Sequence, residues 1–244
     1  MEILGVIPTR MGAVRFPGKP LADLAGRSLV RWVYEAAASC PVLDRVVVAT
    51  PDEEILDAVR AFGGEAVLTS PHHPTGTDRV AEVAASSRAD VVVNVQGDQP
   101  FVTPEMLEQL VAPFAAAADV LMSTLGAPLS ADVDPADPNV VKVVCDGNGD
   151  ALYFSRSAIP YFRTPGPAPV LHHLGLYAFT RAFLAVYQTL APTPLERCEG
   201  LEQLRALEHG YRIRLARTDR PAIEVNTPAD LAAAISYAGA SVLS

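Results

Sequence analysis

The chain has 244 residues, half of them hydrophobic, and a formal net charge of −9. This length suffices for a full hydrophobic core, and the acidic balance argues against a long nucleic acid as partner, because such binding neutralises many phosphates. The three cysteines are far apart and give no support to a disulfide framework, and no apolar run reaches the ~18 residues of a membrane-spanning helix. We therefore expect a cytoplasmic protein without nucleic-acid or membrane partners. One domain is predicted over 1–244, with an irregular lobe at roughly 130–195.

Apolar runs alternate with helical patterns along the first half of the chain. Short, largely apolar runs predict buried strands at residues 3–7, 46–49, 66–69 and 91–95, the last of them apolar except for Asn94. Apolar residues at helical spacing predict helices after Ser28, over 53–62, after Thr77 as the cap, and from Thr103 onward. Strands without alternation, separated by helices, indicate an α/β fold with a mainly parallel sheet and helices on both faces. Such sheets bind ligands beyond the carboxyl ends of their strands.

The second half has a more broken pattern. Strands are predicted at 139–144, 151–155, 173–179 and 213–216, with a tight turn at 146–149. Helices are predicted at 181–190, at 195–210, and from the Asn226-Thr227-Pro228 sequence onward. The segment 161–169 is rich in proline and is expected to be irregular.

The loop after the first strand concentrates positive charge. Arg10, Arg15 and Lys19 fall within ten residues. Prolines stiffen the same stretch, so these cations are predicted to share an anionic ligand such as a triphosphate. The loop is not a P-loop, because Lys19 is followed by Pro20 and not by Ser or Thr at a helix start. The alternative explanation is a basic turn that simply faces water.

Two further segments are predicted on the same rim. Asp98 follows the fourth strand and is a predicted Mg²⁺ ligand, because Mg²⁺ is usually held by one or two carboxylates plus phosphate oxygens. The alternative is an ordinary turn aspartate. Residues 75–79 offer hydroxyls and backbone donors at a helix start, which suits an anion or a ribose, unless Thr77 serves only as a cap. His72 and His73 are expected on the loop surface.

Later in the chain, the chemistry-bearing residues are more scattered. Arg156 follows a strand end and could clamp a substrate carboxylate, although such a residue is usually a surface one. The sequence contains no GxSxG motif, and no Cys–His pairing can be read from spacing, so covalent catalysis has no support. The absence of GxGxxG argues against a dehydrogenase.

Six stretches, in this order, resemble the 3-deoxy-manno-octulosonate cytidylyltransferase (CMP-Kdo synthetase) family. They are residues 10–21, 75–79, 93–98, 151–156, 173–177 and 201–205. The resemblance implies a Rossmann-like fold of the nucleotide-diphospho-sugar transferase type and a homodimer joined through the irregular lobe. It also implies a Mg²⁺-dependent nucleotidyltransferase of lipopolysaccharide biosynthesis. In that reaction the anomeric hydroxyl of Kdo, or of a closely related keto-acid sugar, attacks the α-phosphate of CTP, and pyrophosphate leaves.

The resemblance also implies roles for individual residues. Lys19 and Asp98 would be catalytic, and Asp98 and Asn226 would hold the metal. The nucleotide is expected at Pro8, Thr9, Arg10, Arg15, Lys19, Thr75, Gly76, Thr77, Arg79 and Gln96. The acidic sugar is expected at Gln96, Arg156, His173, Tyr177, Glu199, Glu202 and Gln203.

One departure from the family pattern concerns the charge of the metal site. Asn226 stands where the family usually has an Asp that binds metal, so one negative charge is missing and weaker metal binding is expected. Alternatively, Asn226 merely caps the last helix. The competing hypotheses for function are a non-catalytic nucleotide or sugar binder, and a nucleotidyltransferase for another sugar.

Overall fold

The structure is a computed structural model that describes residues 1–12, 15–130, 133–164, 170–220 and 223–241. Parts of the predicted opening loop (13–14) and of the predicted irregular lobe (131–132 and 165–169) lie outside the described residues. The strands, in chain order, are β1 (Ile3–Pro8), β2 (Asp23–Leu24), β3 (Arg27–Ser28), β4 (Arg45–Thr50), β5 (Ala66–Leu68), β6 (Val91–Asn94), β7 (Met122–Pro128), β8 (Lys142–Cys145), β9 (Ala151–Ser155), β10 (Leu171–Thr180) and β11 (Arg214–Arg217). The helices are α1 (Leu29–Ala38), α2 (Glu53–Ala61), α3 (Gly76–Ala85), α4 (Pro104–Ala116), α5 (Arg181–Tyr187), α6 (Pro194–Glu199), α7 (Gln203–Glu208) and α8 (Pro228–Ser241), with a 3-10 turn at Lys19–Leu21.

The chain divides into two compact units. Unit 1 comprises Met1–Glu108 and Ala222–Ser244, and unit 2 comprises Gln109–Pro221. The predicted irregular lobe at 130–195 falls within unit 2. The assignment of 1–244 as a single domain stays a prediction.

Unit 1 contains a parallel sheet with the strand order β6-β1-β4-β5. In the centre of this sheet Gly5 lies opposite Val46 on one side and Val93 on the other. The consecutive residues Val6 and Ile7 are both fully buried. Because successive side chains of a strand point to opposite faces, both faces of this sheet are covered. The parallel α/β arrangement predicted for the first half is confirmed.

Helix α3 begins earlier than the sequence suggested. Thr75, and not Thr77, is its N-cap: the Thr75 hydroxyl accepts a hydrogen bond from the backbone N–H of Asp78 at 3.1 Å. The Asp78 carboxylate in turn accepts from the backbone N–H of Thr75 at 3.2 Å, which completes a capping box. The prediction of Thr77 as the cap is wrong, because Thr77 lies inside the first turn and is buried.

Helix α8 is capped by Thr227. Its hydroxyl accepts from the backbone N–H of Asp230 at 3.2 Å, and the Asp230 carboxylate accepts from the N–H groups of Asn226 and Thr227 at 2.9 and 2.8 Å. The alternative in which Asn226 merely caps this helix is therefore wrong. The Asn226 side chain makes its hydrogen bonds elsewhere.

In unit 2 the strands form a mixed sheet. Strand β7 lies between the antiparallel β10 and the parallel β11, and the β8–β9 hairpin joins through β8 to β10. Strand β7 was not predicted, because Ser123, Thr124 and Gly126 interrupt its apolar pattern. The single helix predicted at 195–210 is also wrong: Gly200, at φ 63°, ends α6, and α7 starts afresh.

Within the described part of the chain, no helix combines the length and the apolar character needed to cross a membrane.

Candidate active site

A cleft of about 230 Å³ opens in unit 1 at the carboxyl ends of β1 and β6. It is lined by Pro8, Thr9, Arg10, Lys19, Pro20, His73, Pro74, Thr75, Gly76, Arg79, Gln96, Gly97 and Asp98. The three segments predicted on one rim therefore meet. His73, expected on the loop surface, contributes to the wall and pairs with Glu82.

Two glycines allow these segments to approach each other. A Cβ atom at Gly97 would lie 3.0 Å from the carbonyl oxygen of Pro8, and one at Gly76 would lie 3.3 Å from the Pro8 ring. Side chains at either position would push the segment away from β1. The cleft therefore depends on close packing of backbone around Pro8.

Positive charge collects on one wall of the cleft. Arg10 is exposed there, whereas Arg79 is 3% exposed and donates to the Thr69 hydroxyl and, at 3.0 Å, to the Ser70 carbonyl. Burial, followed by the nearby charge of Arg10, lowers the pKa of Arg79. Two cations held this close favour an anionic ligand between or above them.

Lys19 and Asp98 form an ion pair in the same cleft. The Lys19 Nζ lies 3.0 Å from the Asp98 Oδ2, and both side chains are only partly exposed. The backbone carbonyl of Asp98 accepts from the N–H of Val225 at 2.8 Å. This bond ties the strand-end segment to the stretch that precedes α8.

Glu224 is the acidic residue that sequence reasoning missed. Its carboxylate accepts from the side-chain amide of Gln99 at 3.3 Å and from that of Asn226 at 3.0 Å. Glu224 is exposed at the surface, yet nearby protein atoms desolvate its carboxylate, and together with the charge of Asp98 they raise the pKa of Glu224. The Glu-Val-Asn alternation around the fully buried Val225 could have revealed it, because alternate residues of an extended chain lie on the same side.

The side chain of Asn226 bridges two charged groups. Its Nδ2 donates to Glu224, and its Oδ1 accepts from the guanidinium of Arg15 at 3.2 Å. Both polar ends of the predicted metal ligand are thus engaged. Arg15, predicted to hold the nucleotide, is exposed and lies beside Asn226.

The other predicted nucleotide residues fall into two layers. Gln96 lines the cleft, and its amide nitrogen donates to the Asn94 side chain at 3.3 Å. Asn94 donates in turn to the Thr77 hydroxyl at 3.3 Å, so Thr77 is buried beneath the cleft wall. The Thr75 hydroxyl lines the cleft and donates to Asp78 at 2.7 Å.

In unit 2 the predicted sugar residues Arg156 and Glu199 form one cluster. The Glu199 carboxylate accepts from the Ser155 hydroxyl at 2.7 Å and from the backbone N–H of Arg156 at 2.9 Å. Burial acts to raise the pKa of Glu199, but these hydrogen bonds outweigh it and lower the pKa. The Arg156 guanidinium donates to the carbonyls of Glu199 and Pro138, each at 2.7 Å, so it also holds the surrounding backbone.

His173 and Tyr177 form a second, aromatic cluster in unit 2. Both are 5% exposed, and the His173 ring lies 4.8 Å from that of Phe154 and 5.4 Å from that of Tyr177. Burial, followed by the charge of His172, lowers the pKa of His173 to about 3. His173 is therefore neutral at physiological pH.

The remaining sugar candidates lie at the start of α7. The backbone carbonyl of Glu202 accepts from the Tyr187 hydroxyl at 2.7 Å, and Gln203 is 2% exposed. Both residues are thus anchored within unit 2, and their sugar contacts stay a prediction.

Comparison with known proteins agrees with this arrangement. A sequence model of the family described as Cytidylyltransferase matches residues 4–213. The 3-deoxy-manno-octulosonate cytidylyltransferase of Acaryochloris marina is 61% identical over 232 residues, which is 95% of each chain.

Solved structures show the same relationship. A CMP:2-keto-3-deoxy-manno-octonic acid synthetase complexed with CTP has a TM-score of 0.94 and 39% identity, covering 99% of this chain and all of the other. A 4-diphosphocytidyl-2C-methyl-D-erythritol synthase from Anaerococcus prevotii, with a TM-score of 0.65 and 12% identity over 98% of each chain, shares the fold alone. The predicted Rossmann-like nucleotidyltransferase fold is confirmed. The chain belongs to the cytidylyltransferase family and, within it, to the 3-deoxy-manno-octulosonate cytidylyltransferases.

Proposed function

We propose that this protein transfers CMP from CTP to Kdo and releases pyrophosphate. The observation that carries the proposal is the cationic cleft at the end of β1, with Arg10 and Lys19 on its lining, in a chain so similar to a synthetase complexed with CTP. Gly76, the first residue of α3, belongs to the same lining, and the N-terminus of a helix suits a phosphate.

The chemistry needs alignment and charge neutralisation more than covalent help. The anomeric oxygen of the sugar forms a bond to the α-phosphorus of CTP, and the bond from that phosphorus to the bridging oxygen breaks. The sugar hydroxyl gives its proton to solvent, and pyrophosphate leaves with the bonding electrons. Arg10 and Lys19 neutralise the triphosphate, while orientation of the two reactants alone can lower the barrier by about 7–11 kcal/mol.

We propose that the acidic sugar is bound by the residues of unit 2. Arg156 offers a fixed cation to the sugar carboxylate, and the neutral His173 offers a hydrogen-bonding nitrogen to a sugar hydroxyl. The rigid anchoring of both side chains supports this role, because a preorganised site loses little conformational entropy on binding.

A divalent cation fits the donor set beside Lys19. Among the described residues no three His, Cys, Asp or Glu side chains meet in one group, but the carboxylates of Asp98 and Glu224 lie close enough to affect each other. One or two carboxylates plus substrate phosphates are the usual ligands of Mg²⁺. We propose that Asp98 and Glu224 hold Mg²⁺ and that Asn226 orients Glu224. A bound Mg²⁺ would polarise the phosphate oxygens.

We also propose a homodimer joined through unit 2. The exposed large apolar side chains there include Leu152 (62% exposed), Tyr161 (88%) and Phe162 (41%). Contiguous exposed apolar surface is typical of interaction sites, and Tyr161 and Phe162 are adjacent in the chain. The cytoplasmic location and the role in lipopolysaccharide biosynthesis stay predictions from the family resemblance.

The direct test is pyrophosphate release from purified protein with CTP, Mg²⁺ and Kdo. We expect release with CTP and far less with UTP or GTP. Binding of CTP without release, across a panel of keto-acid sugars, would instead identify a non-catalytic binder.

Lys19→Ala tests the nucleotide site separately. Because a hydrogen bond to a charged group contributes about 1.5–3 kcal/mol, we expect a roughly 10- to 100-fold weaker CTP affinity in calorimetry, with an unchanged melting temperature. Arg88→Ala, which removes an exposed cation from the same unit, is the matched control. Equal CTP affinity in the two variants would show that Lys19 pairs with Asp98 without contacting the nucleotide.

A further inference from the structure

One buried hydroxyl in unit 2 contacts both the His173 ring and the backbone of β10. Thr124, on β7, is fully buried. Its Oγ1 lies 2.8 Å from the His173 Nε2 and 2.7 Å from the carbonyl oxygen of Leu176. The two contacts share one oxygen atom, so they constrain each other.

Counting protons fixes the direction of both hydrogen bonds. A threonine hydroxyl has one hydrogen to donate, and a carbonyl oxygen can only accept. The Thr124 hydrogen must therefore point to Leu176, since two acceptors 2.7 Å apart without a proton would repel each other. The contact to His173 then needs a proton on the ring, so Nε2 carries it and donates to Thr124.

An irregularity in the pairing of β10 with β7 allows both groups to reach the Thr124 hydroxyl. The pairing of β10 with β7 shifts register between His173 and Tyr177, and Gly175 in that interval has a φ of 68°. Only glycine adopts this conformation at little cost. The shift lets the His173 ring and the Leu176 carbonyl share the Thr124 hydroxyl.

We propose that Thr124 is a positioning residue that holds His173 as the neutral tautomer protonated at Nε2, which presents the unprotonated Nδ1 to the substrate as an acceptor. The substrate group selected in this way is a hydroxyl that donates a hydrogen bond. The proposal rests on the proposed function insofar as this hydroxyl belongs to the acidic sugar.

The surroundings of His173 keep the ring in this state. The rings of Phe154 and Tyr177 pack against the His173 ring, which is only 5% exposed, so water would solvate an imidazolium poorly there. No hydrogen bond to Nδ1 occurs among the described residues, whereas Nε2 is fully committed to Thr124. A proton on Nδ1 would leave Nε2 and the Thr124 oxygen as two facing acceptors, so the alternative tautomer is disfavoured.

The first measurement is the tautomeric state of His173 in the free, ¹⁵N-labelled protein at pH 7. Long-range proton–nitrogen spectra report it, and the spectrum of His173→Gln identifies the His173 signals. We expect a neutral ring protonated at Nε2 in the wild type and in Thr124→Ser, which keeps the hydroxyl. Protonation at Nδ1, or an imidazolium, would overturn the proposal without any reference to catalysis.

The second measurement compares Thr124→Val with Thr124→Ser in the pyrophosphate assay. Without the hydroxyl, nothing fixes the proton of His173 at Nε2. We therefore expect KM for the sugar to rise about three- to tenfold in Thr124→Val, which is the effect typical of losing one neutral hydrogen bond. KM for CTP should stay within about twofold, and Thr124→Ser should restore the sugar KM. An unchanged sugar KM in Thr124→Val would contradict the positioning role.

These two measurements distinguish a failure of the Thr124 proposal from a failure of the proposed function. If Thr124→Val does not fold, the spectra of the wild type and of Thr124→Ser still decide which ring nitrogen of His173 carries the proton. If the wild type shows the Nε2 tautomer but releases no pyrophosphate with any keto-acid sugar, the proposed function fails, and with it the sugar as the partner of Nδ1.

Discussion

Glu224 and Asn226 together set the charge near Asp98 in unit 1. Asn226 carries no charge, but it donates to Glu224 at 3.0 Å, and Glu224 adds a second carboxylate near Asp98. Lys19, bonded to Asp98, partly offsets this negative charge. A carboxylate near Asp98 is therefore present two residues before the uncharged Asn226.

Removal of the Glu224 charge should weaken metal binding. Glu224→Gln keeps the shape of the side chain but removes a hard anionic oxygen donor. Mn²⁺ serves as a paramagnetic substitute for Mg²⁺ and is titrated in the presence of CTP. We expect the affinity for Mn²⁺ to fall about tenfold or more, because changes to outer-shell partners alone typically lower metal affinity 10- to 100-fold. Electron paramagnetic resonance of free Mn²⁺ measures it without any turnover.

Glu54→Gln is the matched control, because it removes the same charge from an exposed position on α2. Asn226→Asp, which adds a carboxylate beside Glu224, should raise the Mn²⁺ affinity. Equal affinities in Glu224→Gln and Glu54→Gln would show that Glu224 does not contact the metal.

At the scale of elements, a buried lysine holds the β8–β9 hairpin to its neighbouring turn. Lys142 is fully buried, and its ammonium donates to the carbonyls of Asp137 at 2.9 Å, Val140 at 2.5 Å and Arg156 at 2.5 Å. Burial lowers the pKa of Lys142, but the three carbonyl dipoles satisfy all three of its donors. The hairpin end that carries Arg156 is fixed in this way.

Lys142→Met should therefore cost stability. The methionine fills similar space but leaves three carbonyls without their donor, and each unsatisfied buried group costs about 1–3 kcal/mol. Because the exposed parts of the turn can rehydrate, we expect a total loss of about 2–4 kcal/mol in urea unfolding followed by circular dichroism. Lys142→Arg, which retains the charge, should lose less; equal losses in both variants would point to packing and not to the hydrogen bonds.

At the scale of the whole molecule, buried neutral histidine makes stability depend on pH. The pKa of His173 is about 3 in the folded protein and about 6.5 when the chain is unfolded. Between these values the unfolded chain binds more protons, so the free energy of unfolding falls as pH falls below about 6.5. One such histidine contributes a slope of up to about 1.4 kcal/mol per pH unit.

We therefore expect the unfolding free energy to drop between about pH 6.5 and 5, above the range in which carboxylates titrate. His172, whose pKa burial also lowers, adds to the slope. In His173→Gln the slope should be shallower by about 1 kcal/mol per pH unit, as measured by urea titrations at several pH values. Parallel pH profiles for the wild type and the variant would contradict this assignment.

The sequence by itself determined the local features of this protein. Apolar runs without alternation, such as 3–7 and 91–95 (apolar except for Asn94), predicted the parallel strands, because a strand buried on both faces has consecutive apolar residues. The cationic loop with Lys19 and the strand-end Asp98 were predicted on one rim, since carboxyl ends of parallel strands share an edge. The ordered motifs likewise predicted the family.

Tertiary structure decided what depends on partners far apart in the chain. The bond between Gln99 and Glu224 joins residues 125 positions apart, and that between Thr124 and His173 joins residues 49 apart. Periodicity reports only which face of an element is buried, so it could not show which carboxylate meets Asp98. Nor could it show which ring nitrogen carries a proton. Both features depend on hydrogen-bond donors and acceptors that only the folded chain brings within 3.3 Å of each other.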